Sequence, residues 1–246
     1  MKIDQLFSIK NKNVVITGCS SGIGLELAKG FILNGAQVIG ISKSKPKEQV
    51  NFRNFFQCDL NDETKINFIV EDIKKNKIHI NSLLNVAGIT VSKSEYESDL
   101  VRFDKTFNTN VRSMFNIIYK LKPCFSKSAS IINFSSIGGK LGFPGNPSYC
   151  ASKGAVISLS RALSNDFGSY NIRVNCIVPG YFHTKMTNLS FNNEKEKKIR
   201  EKRTVLGRWG ELNELLGASI YLASDASSYV TGTELIVDGG WSSKGL

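Results

Sequence analysis

The sequence predicts an α/β chain, a doubly wound parallel sheet of about seven strands with helices on both faces. Short apolar runs recur without the apolar–polar alternation of a half-exposed sheet, as strands buried on both faces do. Between them lie longer stretches with apolar residues at helical spacing. Right-handed crossovers between such units lay the strands side by side in parallel.

In chain order the strands are residues 14–16, 37–41, 55–56, 82–84, 130–134, 173–178 and 235–237. After the first of them, Ile23, Leu27 and Phe31 recur at helical spacing and Gly35 supplies the stop. No internal repeat and no Pro/Ser-rich linker divides the 246 residues, so residues 1–246 are expected to form one domain.

Hydrophobic residues make up 41% and charged residues 22% of the chain, which excludes disordered, collagen-like and coiled-coil classes. A domain of this size buries roughly 70% of its unfolded surface and needs no metal or disulfide staple. The net charge is +11, an excess that suits nucleic acid, an anionic membrane or an anionic ligand. The basic residues are scattered, however, and the densest run, EKEKKIREKR at residues 194–203, interleaves acid with base as a solvated helix face does. No nucleic-acid partner is expected. Cysteines 19, 58, 124, 150 and 176 form no CxxC pair, and His79 and His183 are the only imidazoles, so reduced thiols and no metal site are expected. The first residues lack the apolar core of a signal peptide and no run has the length of a membrane span, which predicts a cytoplasmic protein with no membrane partner.

The first strand runs into Thr17-Gly18-Cys19-Ser20-Ser21-Gly22-Ile23-Gly24 and then a helix. Glycines permit positive φ and close backbone approach, so the turn can offer amides to a diphosphate, with the positive end of the helix dipole beside them. The spacing is G-x-x-x-G-x-G rather than G-x-G-x-x-G. The segment resembles the TGxxxGIG fingerprint of the short-chain dehydrogenase/reductase family. Asn85-Val86-Ala87-Gly88 is similar to that family's NNAG element, with Val86 in place of the second Asn. The resemblance covers residues 8–241 and implies a Rossmann-type fold. It further implies that Asp59, followed by Leu60, contacts adenine, that Pro179, Gly180 and Thr184 lie beside the nicotinamide carboxamide, and that Asn85, Ala87 and Gly88 line the adenosine side.

An NAD-specific site places a carboxylate at the end of strand two to hold the ribose 2′-hydroxyl. Here the strand ends Ser42-Lys43-Ser44-Lys45, with no acid and with Lys43 suited to a phosphate, so NADP(H) is expected over NAD(H).

Tyr149 and Lys153 stand at i and i+4 on a helix that opens after Pro147, so both project from one face. A phenol with a pKa of about 10 is a weak base at neutral pH, and a neighbouring ammonium is expected to lower that value so that Tyr149 serves as general acid/base. The resemblance implies three partners for this pair. Ser136, thirteen residues before Tyr149, polarises the substrate oxygen; Asn110 holds a water that links Lys153 to solvent; and Lys153 also anchors the nicotinamide ribose. The implied reaction is reversible hydride transfer between an alcohol and a carbonyl.

The substrate pocket is expected outside the carboxyl ends of the strands, near residues 90–97, 138–147 and 181–205. Lys93, Glu95, Tyr96, Lys140, Phe143, Asn146, Tyr181, His183 and Lys185 fall there, with Tyr181 and His183 as candidate substrate contacts. This polar and cationic set, with the segments 179–187, 207–210 and 238–241, resembles the gluconate 5-dehydrogenase and deoxygluconate dehydrogenase branch and implies a sugar, sugar acid or modified sugar. A 3-oxoacyl-[acyl-carrier-protein] reductase is the alternative, and a non-catalytic nucleotide- or RNA-binding protein a further one. The resemblance also implies a homotetramer or dimer through the helices that carry Asn110 and Tyr149, with Met114, Phe115, Ile118, Leu121, Ala155, Leu159 and Leu163 as apolar positions, and a helical substrate lid near 184–205.

Overall fold

The computed structural model describes residues 2–91 and 98–245, so Lys93, Glu95 and Tyr96 lie outside the described residues. Seven strands form one sheet: β1 (Asn13–Thr17), β2 (Gln37–Ser42), β3 (Asn54–Gln57), β4 (Ile80–Asn85), β5 (Phe125–Phe134), β6 (Arg173–Pro179) and β7 (Glu234–Val237). Their order is β3-β2-β1-β4-β5-β6-β7 and every described pairing is parallel. All seven expected strands are present. β5 begins five residues earlier than expected, and its register against β4 shifts between Ile80 and Ser82.

The helices are α1 (Ile3–Leu6), α2 (Gly22–Leu33), α3 (Glu63–Lys75), α4 (Asp99–Phe107), α5 (Ser113–Leu121), α6 (Pro147–Gly168), α7 (Asn188–Asn192), α8 (Glu194–Arg203) and α9 (Glu214–Ala223). Helices α3, α5 and α6 cover one face, where Ile66, Ile118 and Val156 pack with Val15, Leu83 and Ile131. Helices α2 and α9 cover the other, where Leu27, Phe31 and Leu222 pack with Val14, Ile16 and Leu84. Val14 and Val15 thus enter opposite cores, as successive strand residues must. This is why the strands read as unbroken apolar runs.

Strand order reverses between β1 and β4, so the loops leaving these two strands part and open a crevice at the carboxyl edge. Beneath it a buried polar rail crosses the sheet. Asn85 Nδ2 donates to Asn133 Oδ1 (2.9 Å), Asn133 Nδ2 to Ser160 Oγ (2.9 Å), and the Ser160 hydroxyl to the Val156 carbonyl (2.7 Å). A π-helical turn, Asn108–Arg112, joins α4 to α5. The acid–base run 194–203 forms α8, whose cap Asn193 accepts from the Glu196 amide (3.1 Å).

Of the apolar positions expected at an interface, Met114, Ile118, Leu121 and Leu163 are buried in the core, while Phe115 is exposed together with Leu100, Val101, Phe103 and Tyr119. No helix among the described residues is long and apolar enough to cross a membrane.

Replacing Asn133 by Ala strands the Asn85 amide and breaks the rail. Urea denaturation is expected to show a loss of about 1–3 kcal/mol with unchanged far-UV dichroism.

Candidate active site

The nucleotide end is built from bare backbone. Gly18 sits at φ +70°, and a Cβ there would lie 2.8 Å from Ala87 Cα; a Cβ on Gly24 would lie 2.3 Å from the Gly18 carbonyl oxygen. Only glycine permits these approaches. The Thr17 hydroxyl oxygen accepts from the Val86 (3.1 Å) and Ala87 (3.2 Å) amides and so ties the loop after β4 to the end of β1. Sequence reasoning passed over this residue, although a threonine directly before the glycine turn was its signal.

A cleft of about 510 Å³ opens over this junction. Gly18, Ser20, Ser21, Gly22, Ile23 and Gly24 border it from the first turn, Ser42 and Lys43 from β2, Asp59 and Leu60 from beyond β3, Ala87 and Gly88 from beyond β4, and Thr184 from beyond β6. Ile89, Thr90, Val91, Thr109, Lys185 and Met186 join them without having been expected as cofactor contacts. Because α2 starts at Gly22, its first amides and the positive end of its dipole border the cleft. A cradle that any side chain would fill, a helix N-terminus and this volume fit a dinucleotide.

Five expected cofactor contacts stand apart from the cleft wall: Tyr149 and Lys153, which belong to the chemical end described below, and Asn85, Pro179 and Gly180. The Asn85 side chain is turned into the core, on the polar rail, because its donor is satisfied there by Asn133. Pro179 ends β6 and Gly180 follows it, pressed against Asp238, 2.7 Å from the position a Cβ would take.

At the end of β2, the Ser42 hydroxyl donates to Ser20 Oγ (2.8 Å), which lies 3.1 Å from Ser44 Oγ. Lys43 pairs with Asp59 at 2.9 Å. The Asn61 amide, more than Lys43, holds the Asp59 carboxyl below the usual carboxylate range.

The chemical end lies where β5 meets α6. Ser135 and Ser136 follow the strand in opposite roles: the Ser135 hydroxyl donates to the Lys153 carbonyl (2.7 Å), whereas Ser136 Oγ accepts from the Gly138 amide (3.1 Å). The Lys153 ammonium donates to the Phe134 carbonyl (2.8 Å) and stands 5.9 Å from the Tyr149 ring centre. Asn110, in the π turn, accepts from the Ile89 amide (2.8 Å) and donates to the Ile89 carbonyl (2.9 Å) and Ser152 Oγ (3.0 Å). π turns of this kind recur at functional sites. Gly88 joins the two ends, since a Cβ there would lie 3.2 Å from Lys153 Nζ and 3.4 Å from Asn110 Oδ1.

The titration of the pair departs from expectation. Burial brings Lys153 down to about 8. Burial also pushes the Tyr149 phenol up, against the Ser136 hydrogen bond, so in the protein alone the ammonium does not bring the phenol down. Desolvation outweighs a cation that is directed at the Phe134 carbonyl.

On the substrate side, the Tyr181 ring meets Phe143 (6.2 Å between centres), Trp209 (5.3 Å) and Trp241 (4.7 Å). His183 turns to the helical segment instead, stacking on Phe191 at 3.8 Å and lying 3.1 Å from Asn188 Oδ1. Lys140 pairs with Glu234 (2.7 Å), and the Asn146 amide donates to Thr90 Oγ1 (2.7 Å).

A bare-backbone dinucleotide cradle that runs into a serine–tyrosine–lysine cluster defines a class of protein, and comparison of the whole chain agrees with it. The family model described as enoyl-(acyl carrier protein) reductase matches residues 18–242. The chain belongs to the short-chain dehydrogenase/reductase family and is an oxidoreductase of the CH–OH/C=O type that binds a nicotinamide cofactor and acts on small molecules.

Among particular relatives, it is 36% identical to the 3-oxoacyl-[acyl-carrier-protein] reductase FabG of Chlamydia muridarum, over 94% of this chain and 97% of that protein. It is 34% identical to the 2-dehydro-3-deoxy-D-gluconate 5-dehydrogenase of Pseudoalteromonas atlantica, over 96% and 98%. Its fold superposes on a gluconate 5-dehydrogenase of Burkholderia cenocepacia, solved with NADP and tartrate, with a TM-score of 0.87 at 28% identity, covering 98% of this chain and 99% of that one.

Substituting Gly18 by Ala sets a methyl group against Ala87 at a backbone angle that resists it. Calorimetry is expected to show nucleotide affinity reduced at least tenfold and a lower Tm, whereas Gly142→Ala, where a Cβ meets nothing within 4 Å, leaves both unchanged.

Proposed function

We propose that the chain is an NADP(H)-dependent oxidoreductase that interconverts a secondary alcohol and a carbonyl on a sugar, sugar acid or modified sugar. One observation carries the reading: Ser136, Tyr149 and Lys153 gather where Gly88 brings the nucleotide cleft against Asn110. A bound nicotinamide supplies or accepts the hydride. Tyr149 gives its phenolic proton to the substrate oxygen in reduction and takes it back in oxidation. Ser136 donates a hydrogen bond to that oxygen and stabilises the charge that develops on it. Lys153, desolvated and fixed on the Phe134 carbonyl, holds positive charge beneath the phenol and anchors the nicotinamide ribose. Asn110 keeps the loop after β4 in place through Ile89 and orders the water that serves Lys153.

The preference for NADP(H) is supported by a β2 exit that carries Lys43 and the linked hydroxyls of Ser42, Ser20 and Ser44 where an NAD-specific site carries a carboxylate. The aromatic and cationic lining around Tyr181 suits a polyhydroxy substrate. Residues 184–205, with α7 and α8, act as the lid of a single catalytic domain. The exposed aromatic face of α4 and α5 favours self-association as a dimer or tetramer, whose size sedimentation reads. Asn85 serves this site through the rail beneath it rather than by touching the nucleotide.

Following absorbance at 340 nm, keto-sugars and keto-acids are expected to be reduced, and acetoacetyl thioesters not; the reverse pattern identifies a 3-oxoacyl reductase. Tyr149→Phe is expected to reduce turnover at least a hundredfold while NADPH binding stays within about twofold. KM for NADPH is expected to lie at least tenfold below that for NADH, with Lys43→Asp removing most of the difference; equal KM values contradict the cofactor assignment.

A further inference from the structure

Arg200 and Trp209 each carry a buried N–H donor with no acceptor, Arg200 Nε and Trp209 Nε1. Buried donors almost always find an acceptor, and one left unmade is costly, so two around a single side chain call for a ligand. That side chain is Tyr181. The Arg200 guanidinium lies over its ring, 5.0 Å from the centre, and the Trp209 indole meets it edge-on. Trp209 is 6% exposed.

Both groups are fixed before any ligand arrives. Arg200 Nη1 is held by the Glu196 carboxylate (3.0 Å) and main-chain carbonyl (3.1 Å) one turn earlier, which leaves Nε unspent. Trp209 is wedged between Tyr181 and Phe191, whose ring meets it edge-on at 5.1 Å. A chain of ring contacts leads back to Tyr149. Tyr181 stacks near Phe143, and the position of a Cβ on Gly138 would touch both the Phe143 ring (2.9 Å) and the Tyr149 ring (3.3 Å). Arg203 lies over Trp241 and Lys197 over Phe191, beside the Glu196 carboxylate. Glu214 and Asp238 border the far side of Tyr181, but Glu214 is spent on Arg208 and Asp238 on the Gly240 and Ser242 donors, so the balance there still suits an anion.

We propose that Arg200 Nε and the Trp209 indole N–H recognise the carboxylate of a polyhydroxy keto-acid whose carbonyl end reaches Tyr149 and Ser136. This rests on the sugar-acid reading above and narrows it to the acid, with Arg200 as the residue that sets the preference. A charge-assisted hydrogen bond from a guanidinium suits a carboxylate better than a neutral hydroxyl, and a site built around such donors discriminates strongly against a ligand that lacks the acceptor.

The test compares kcat/KM for 5-keto-D-gluconate with that for a neutral ketohexose, using the full chain and NADPH, alongside calorimetric binding of D-gluconate and of neutral glucitol. The wild type is expected to prefer the acid in both measurements. Arg200→Gln is expected to cut that preference roughly thirtyfold or more, and Trp209→Phe, which keeps the ring and removes only the N–H, roughly three- to tenfold. Turnover of the neutral ketone stays within about threefold in both variants. An equal fall for acid and neutral ligands marks a structural role and overturns the proposal, as does an unchanged preference, which means that solvent satisfies the two donors. If neither ketone is reduced but a gluconate preference is present and is lost in Arg200→Gln, the acid site stands and the reaction assigned above falls. If both ketones are reduced equally well, the reaction stands and the acid site falls.

Discussion

The contact of bare backbone between the ends of β1 and β4 is the constraint on which the rest of the molecule depends. The two strands are neighbours whose crossovers leave in opposite directions, so a crevice forms between their loops. What suits it to a nucleotide is that Gly18 lies against Ala87 with no side chain between them, and that one hydroxyl, on Thr17, accepts from two amides of the opposing loop. The same loop continues to Gly88 and Ile89, which reach Lys153 and Asn110. Cofactor cleft and chemical cluster are therefore two ends of one short stretch of chain, held by packing that only glycine allows.

The cluster is also an exercise in placing polar groups where water does not reach. Ser135, Asn110 and Asn133 make their hydrogen bonds inside the protein, as does the donor of Asn85, whose Oδ1 has no partner among the described residues. Burial brings Lys153, which keeps the Phe134 carbonyl as partner, down to about 8. A desolvated ammonium responds strongly to any nearby charge, because the low surrounding dielectric amplifies it. Burial thus sets the pair, raising the Tyr149 phenol and lowering the Lys153 ammonium, with Ser136 opposing the rise of the phenol.

Much of this was legible in the sequence because it is local. Unbroken apolar runs announce buried parallel strands, glycines at fixed spacing announce a turn with special φ, and a tyrosine four residues before a lysine shares a helix face with it. The strand cores and the glycine turn follow from such short-range regularities. Asn85 shows the limit, since its place at the exit of β4 was readable but the direction of its side chain depends on Asn133, 48 residues away. Lys140 likewise drew attention as a cation beside the pocket, while its partner, Glu234, waits on the last strand.

The amino-acid order by itself determined the fold class, because propensity, periodicity and glycine spacing act within a few residues, and its short motifs carried the resemblance to the family. Only the folded chain decided which groups are desolvated, which polar atoms find partners and which do not. Burial raised the phenol that sequence logic expected to fall, while tertiary contacts set the exposed His183 against Phe191 and gathered Arg200, Trp209 and Trp241 around the Tyr181 ring. Such effects depend on distance through space and on exclusion of water, neither of which can be read along a strand or a helix one residue at a time.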